Sequence, residues 1–467
     1  MFLMRPFDHV VTFRNSHGRA ACGKVASLQR RSLVMEIYNP CSIVQVCEVL
    51  SELTIRTGDA NIYKGNAVVV SLLNTGLMAV ASVELIDEWS DHNAIGGDIH
   101  QARGEAERFV SDWESRFKIR QSYQVMISEF RAFLAETARW ADQADLSASL
   151  PREADGRIRA DVFDELAAPI MKKSAEYLVW LEDEGPRVAP EDLVAHRNFA
   201  QTSLHPLLLR APFIYRTFTK PLGYAGDYEM VNQILGDPRQ GPNTYFQIVN
   251  TAFLKADVAQ AHRNRIDILV ESLLQIARQA RREGRQARVL NVGCGPAVEI
   301  RRFIALDEHP DSIAFTLLDF SEPTIEYTRS KIAEGARETG RRVQVEFVNE
   351  SVHDLLKRTS RQTPVSASET FDFVYCAGLF DYLSDKVCSR LLQYFVSRAR
   401  EGGQILVTNV HSSNAQKILM EHLLEWHLIY RDEAGLESIL PAQRQNTSIY
   451  TESTGLNVFA EFRASAI

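Results

Sequence analysis

One stretch constrains the fold of this chain more than any other: residues 288–304, Arg-Val-Leu-Asn-Val-Gly-Cys-Gly-Pro-Ala-Val-Glu-Ile-Arg-Arg-Phe-Ile. Val289 to Val292 is a short apolar run with β-branched residues, suited to a strand buried on both faces. Gly293-Cys294-Gly295 breaks the run, Pro296 follows, and Val298, Ile300, Phe303 and Ile304 recur at helical spacing. The reading is strand, glycine turn, helix. Glycines in such a turn let the chain bend sharply and let a ligand come close to the backbone. Alone, a Gly-x-Gly is also compatible with an ordinary tight turn.

The downstream pattern decides between the two. A second apolar run, Ala314 to Asp319, ends in an acid 26 positions after Gly293. In a doubly wound sheet such an acid is placed to accept hydrogen bonds from a ribose. Val343 to Val348 runs into Asn349-Glu350-Ser351-Val352-His353-Asp354, and Phe371 to Ala377 runs into Gly378-Leu379-Phe380-Asp381-Tyr382-Leu383. Gly403 to Asn409 follows the helix stop Arg400-Glu401-Gly402. Each polar cluster sits at the carboxyl end of its strand, where open α/β sheets bind ligands. Ser448 to Thr451 and Leu456 to Phe462, separated by turn residues, read as a closing antiparallel hairpin.

On these residues the chain from about 255 to 467 resembles a class I S-adenosylmethionine-dependent methyltransferase. The glycine motif of that family reads acid-x-Gly-x-Gly-x-Gly. Gly293 and Gly295 match it, while Asn291 stands in the place of the acid and Ala297 in that of the third glycine. An NAD-binding domain is the competing reading, but its Gly-x-Gly-x-x-Gly pattern would need glycine at Val298, and its sheet would lack the antiparallel hairpin. The resemblance implies S-adenosyl-L-methionine as cofactor. Asn291, Gly293 and Gly295 would line its loop, Asp319 would accept the ribose hydroxyls, and Phe320 would lie against the adenine. Ser351 or Val352 would border the adenine, and Ala377 and Gly378 would flank the methionine part. Arg265, on a helix over residues 255–280, would supply a cation for its carboxylate.

Residues 7–90 carry short alternating apolar runs (10–13, 18–25, 33–38, 53–55, 61–63, 65–72 and 76–85) punctuated by turn residues, the spacing of a small barrel. They resemble a PilZ-like barrel with a degenerate signature. Arg5 and Arg14 are too far apart for its Arg-x-x-x-Arg, and Ala26 to Arg31 lacks the acid and glycine of its second motif. Cyclic di-guanylate binding is therefore not expected. Residues 101–137 and 161–183 have helical periodicity, and 139–156, holding Pro151, reads as a loop. The expected fold is α/β: a Rossmann-like methyltransferase sheet with a closing antiparallel hairpin, preceded by a helical domain and a small N-terminal β-barrel. The expected domains are 1–92 (barrel), 93–250 (helical cap or linker) and 251–467 (methyltransferase).

Three further segments, Lys220 to Met230, Gly378 to Asp385 and Leu424 to Arg431, resemble a bacterial subgroup that makes 3-hydroxypalmitate methyl ester, a quorum signal. That resemblance implies O-methylation of a fatty or other small carboxylate. Tyr224, Tyr382, His427 and Arg431 are candidates to orient it, and Asp227, Asp381 or His427 is the candidate base should the acceptor be a hydroxyl or amine. Residues 411–431 are expected as one helix bearing His422, Trp426, His427, Tyr430 and Arg431. Two alternatives stay open: an enzyme that releases methylthioadenosine by intramolecular displacement, and a nucleotide-sensing regulator with an inert methyltransferase fold.

The net charge of −8 argues against a general nucleic-acid binder. No apolar run reaches the roughly 20 residues that span a bilayer. No basic start and long apolar core mark a signal peptide. The six cysteines show no metal-ligand spacing and are expected as buried free thiols in a cytoplasmic protein, without a metal.

Overall fold

Strict inside–outside alternation closes the first part of the chain into a barrel. The computed structural model describes residues 9–37, 44–57, 60–74, 79–89, 99–116, 118–359 and 370–465, divided into two units, Met1–Ile119 and Arg120–Ile467. In the first unit β1 (His9–Arg14), β2 (Ala20–Leu28), β3 (Ser32–Ile37), β4 (Val49–Thr57), β5 (Ala60–Asn74) and β6 (Ala79–Leu85) form a closed barrel in the order β1-β2-β3-β6-β5-β4. Val11 and Phe13, Leu33, Met35 and Ile37, Leu53 and Ile55, and Val69 and Val83 fill it at period two.

The runs expected at 61–63 and 65–72 are one strand. Gly65 is no break: a Cβ there would stand 2.5 Å from the Asp87 carboxylate, so the glycine serves a close approach, not a turn. Cys22 and Cys47 are exposed, against the expectation of burial, whereas Cys294, Cys376 and Cys388 are buried; Cys41 lies outside the described residues. The helix α1 (Ile99–Arg116) follows.

The second unit opens with helices α2 (Gln121–Leu146), α3 (Ala160–Glu184), α4 (Leu193–Leu208), α5 (Pro212–Thr219), α6 (Tyr228–Leu235), α7 (Thr244–Leu254) and α8 (Asp257–Arg282). The loop expected from residue 139 begins only after Leu146, because Ala144 is a core residue, packed with Phe163 and Ala167 of α3 and Ile248 of α7.

The sheet and its covering helices follow in alternation: β7 (Ala287–Val292), α9 (Val298–Leu306), β8 (Ile313–Asp319), α10 (Glu322–Thr339), β9 (Gln344–Asn349), α11 (Val352–Thr359), β10 (Phe371–Cys376), α12 (Asp385–Arg398), β11 (Ala399–Val410), α13 (Lys417–Leu423), α14 (Glu433–Ser438), β12 (Arg444–Thr451) and β13 (Asn457–Ala464). Seven strands lie in the order β12-β13-β11-β10-β7-β8-β9. The strands β7 to β11 are parallel, and β13 enters antiparallel between β11 and β12, with Val407 opposite Ala460 and Ile449 opposite the same residue. Two apolar cores lie on the two faces. Leu290, Val292, Val374 and Ile405 pack on one with Leu391 and Phe395 of α12. Val289, Phe315, Phe373 and Leu406 pack on the other with Leu273 of α8 and Phe303 of α9.

The helix expected over 411–431 is shorter than expected. It covers only Lys417–Leu423, since Glu425 takes a left-handed backbone (φ 49°), and the chain then continues without regular secondary structure. The Ile429 amide donates to the Asp381 carbonyl at 2.7 Å and the Arg431 amide to the Val410 carbonyl at 3.2 Å, which straps this segment over the carboxyl ends of β10 and β11. Among the described residues no helix is long and apolar enough to cross a membrane.

Candidate functional site

A cavity of about 360 Å³ opens at the carboxyl ends of β7, β8 and β10, within the range of small-molecule sites. Its floor is the turn after β7. Gly293 (φ 74°) and Gly295 (φ 51°) take left-handed conformations that glycine adopts freely, and Ala297 is held in the same region (φ 44°) at the cost of strain. The Gly293 and Cys294 amides both donate to the Leu318 carbonyl, at 2.8 and 3.1 Å, and Thr328 Oγ1 donates to the Gly295 carbonyl at 2.7 Å. The turn is thereby tied to β8 and α10.

Asp319 ends β8 and lines the cavity. Its carboxylate accepts from the Gly295 amide at 3.1 Å and the Ser321 amide at 3.0 Å, and burial pushes its carboxyl above the usual range. Phe320, 54% exposed, meets the Tyr224 ring with centroids 5.3 Å apart. Val352 lines the cavity, as does Glu350. Ser351 does not: its hydroxyl turns to Asp354 at the start of α11, accepting from the amide at 3.1 Å.

Ala377 and Gly378 form the wall beyond β10. A Cβ on Gly378 (φ 94°) would stand 3.1 Å from Arg265 Nη1, a tight contact on a left-handed backbone. Arg265 itself is buried on α8. Burial pulls its guanidinium down, opposed by the carboxylates of Asp381 and Glu299. It is the sole lysine or arginine among the described residues that line the cavity. His262, one turn earlier, is held neutral by burial and by Arg265.

Beneath the glycine turn lies a buried polar triad. Asn291 Nδ2 donates to Glu299 Oε1 at 3.1 Å and to Tyr375 Oη at 3.0 Å, and Tyr375 donates to the same Glu299 oxygen at 2.8 Å.

Tyr224, Tyr382 and Asp381 also line the cavity, with Trp426. Burial raises Tyr224 to about 12 and Tyr382 higher still, so both stay protonated. Burial also pushes Asp381 up to about 6, while it accepts from the Val410 amide at 2.6 Å. Three other sequence candidates face away from the cavity. Asp227 caps α6 through the Met230 amide at 2.9 Å and pairs with Arg216 Nε at 2.7 Å. His427 is exposed, with Arg197 Nη1 at 3.4 Å. Arg431 is buried and fully used by the protein, donating to Asp385, Asn409 Oδ1 and the Phe380 and Leu383 carbonyls at 2.6–3.0 Å. Glu299 and Trp426 are the residues that sequence reasoning left out of the site. Glu299 reads as an ordinary first-turn acid of a helix, and Trp426 as part of a helix that is absent.

Among the described residues no group of three or more His, Cys, Asp or Glu could hold a metal.

Residues 289–403 match the family model for a methyltransferase domain. The chain matches no curated protein. Among solved structures it is similar to a possible exported protein of Bordetella parapertussis (16% identity, covering 72% of this chain and 97% of that chain, TM-score 0.40). It is also similar to the magnesium protoporphyrin IX methyltransferase ChlM of Synechocystis PCC 6803 with bound S-adenosylhomocysteine (13% identity, 54% and 98% covered, TM-score 0.36). A third is the N-methyltransferase NodS of Bradyrhizobium japonicum WM9 (15% identity, 42% and 87% covered, TM-score 0.28). The family match falls on the strand order, the glycine turn and the acid that ends β8, so residues 289–403 carry a methyltransferase domain.

Proposed function

We propose that this enzyme O-methylates the carboxylate of a 3-hydroxy fatty acid, giving its methyl ester. One observation carries the reading. The three segments that resemble the ester-forming subgroup are spread over residues 220–431, yet all reach one cavity: Tyr224 and Gly226 from the first, Leu379, Asp381 and Tyr382 from the second, Trp426 and Leu428 from the third. An apolar wall of Phe213, Met230, Ile234 and Ile266 continues from them and suits an alkyl chain.

The site fits the cofactor on its own features: two left-handed glycines that let the backbone come close, a carboxylate at the end of β8, and a buried cation with no carboxylate of the described residues within ion-pair distance. When bound, S-adenosylmethionine supplies a methyl group on a sulfonium, open to in-line displacement. In this reading Asp319 accepts the ribose hydroxyls, Phe320 and Val352 border the adenine, Ala377 and Gly378 flank the methionine part, and Arg265 meets its carboxylate. Tyr224 and Tyr382, both protonated, donate to the acceptor carboxylate and orient it. A carboxylate nucleophile needs no base. The chain's work is then alignment, for which roughly 7–11 kcal/mol is attainable, and exclusion of water. Asp227, His427 and Arg431 have no part in this reading. The barrel is read as a PilZ-like module without a nucleotide, with domains at 1–92, 93–250 and 251–467.

A second reading rests on the single cation. A carboxylate acceptor and the cofactor's own carboxylate would have Arg265 alone to share. Intramolecular displacement by a group of the methionine part, releasing methylthioadenosine, needs no second anion site. Mass spectrometry after incubation with S-adenosylmethionine, with and without 3-hydroxy fatty acids, separates the two. Adenosylhomocysteine and a methyl ester, both absent in Asp319→Ala, are expected. Methylthioadenosine formed without any acceptor would replace the first reading by the second.

A further inference from the structure

Position 291 is where the family resemblance places an acid, and this chain has asparagine there. The structure supplies a carboxylate at the same spot from another element. Glu299 stands in the first turn of α9, is 6% exposed and lines the cavity. Its Oε1 is filled by Asn291 Nδ2 and Tyr375 Oη, at 3.1 and 2.8 Å. Among the described residues Asn291 and Tyr375 are the side chains that bond this carboxylate, both at Oε1, and the Glu299 backbone amide is the further donor to it. Two donors on Oε1 hold the carboxylate in one orientation and leave Oε2 free of other side chains at the cavity wall; a carboxylate so removed from water favours a cationic partner. Asn291 thus acts as a tether where an acid would act as the anion.

We propose that Glu299 takes the place of the acid missing at 291 and receives the α-ammonium of the cofactor's methionine part through Oε2. The inference rests on S-adenosylmethionine being the cofactor. With Arg265 for the carboxylate, the cavity then offers one cation and one open carboxylate oxygen to an amino-acid zwitterion. Asp381 is the competing anion. It also lines the cavity and acts on Arg265, but its Oδ1 accepts from the Val410 amide at 2.6 Å.

The test compares ligands with and without the amino-acid group. Dissociation constants are measured by calorimetry for S-adenosylmethionine and for methylthioadenosine, which keeps the nucleoside and sulfur but has no ammonium. Glu299→Gln is expected to weaken S-adenosylmethionine about 10- to 100-fold, the scale of one charged hydrogen bond, and to leave methylthioadenosine within about twofold. The exchange Asn291→Asp/Glu299→Gln, which passes the carboxylate back across the same hydrogen bond, is expected to recover most of the loss. Equal weakening of both ligands would mean that Glu299 only props the glycine turn and would overturn the proposal. So would no weakening, no recovery in the exchange, or the ligand difference arising in Asp381→Asn instead. Wild-type protein that binds methylthioadenosine but not S-adenosylmethionine would also refute it, and binding of neither would refute the cofactor reading itself.

Discussion

The Trp426 indole nitrogen donates to the Tyr382 hydroxyl oxygen at 3.0 Å. With that oxygen accepting from Trp426, the Tyr382 proton is available to a ligand in the cavity. Tyr382→Phe removes a donor to the acceptor and strands the indole N–H. In the ester-forming reading, kcat/KM for the acceptor should fall about 10-fold or more, the scale of one hydrogen bond to a charged group, with the cofactor dissociation constant unchanged. Gly226→Ala should imitate it, because a Cβ there would stand 2.6 Å from the Tyr382 oxygen. Steady-state kinetics and calorimetry on the two variants check both effects, and a change confined to cofactor binding would count against Tyr382 as an acceptor ligand.

Gly378→Ala should act on the cofactor instead. The new methyl would press on the Arg265 guanidinium from 3.1 Å, on a backbone at φ 94° that alanine enters at about 1–3 kcal/mol. The expected result is cofactor affinity lowered about 10-fold or more, accompanied by a drop in thermal midpoint. Arg265→Ala/Gly378→Ala, which removes the obstructed group, should bind no worse than Arg265→Ala alone; a further large loss would place the effect in the turn and not in Arg265.

Arg431 should prove a matter of stability. Its guanidinium serves Asn409 and two carbonyls in a buried setting, while Asp385 is itself exposed, so Arg431→Met should cost about 1–3 kcal/mol, the scale of buried acceptors left without a donor. Urea denaturation measures this. A stability change below about 1 kcal/mol with a raised KM for acceptor would return Arg431 to the binding site.

Acid should weaken the fold through His422. This side chain is buried between α2 and α4, bonded to the Tyr123 hydroxyl at 2.9 Å, and burial with Arg197, His196 and His427 nearby pulls it from 6.5 to about 4. Its folded pKa lies below the unfolded one, so the unfolded chain takes the proton first. The contribution is whole above pH 6.5 and is lost as pH falls from 6.5 towards 4, a difference on the order of 3 kcal/mol. Urea midpoints of wild type and His422→Gln at pH 7, 5.5 and 4.5 should converge as pH falls; parallel curves would show that His422 titrates normally.

How much could be read in advance varied with the kind of residue. The parallel strands were legible because burial on both faces leaves unbroken apolar runs such as Phe371 to Cys376, and Asp319 was legible because a strand end followed it. Gly65 misled, since a glycine needed for the approach of Asp87 looks in a sequence like one needed for a turn. The segment 424–431 misled because Leu424, Leu428 and Tyr430 permit helical spacing, and nothing local announces that Glu425 will turn left-handed. Arg431 looked like a free cation because its partners, Phe380, Leu383, Asp385 and Asn409, are 22 to 51 residues away. Glu299 was the opposite case: the asparagine at 291 was noticed, but the carboxylate that answers it is eight residues on, across a turn whose shape only the fold defines.

The antiparallel entry of β13 bears on how the protein behaves in concentrated solution. Because β13 is paired on both sides, the sheet ends, among the described residues, at β12 and at β9, each with one row of backbone groups left over. Unprotected, such rows invite another chain to add on. Here β12 carries Arg444, Gln445 and Asn446, slips register between Gln445 and Ser448, and puts Asn446 in a left-handed conformation at φ 53°. At the other border β9 turns Gln344, Glu346 and Asn349 to solvent. A kink on one border and polar side chains on both make stacking of sheets unfavourable, so this seven-stranded sheet carries its own protection against aggregation.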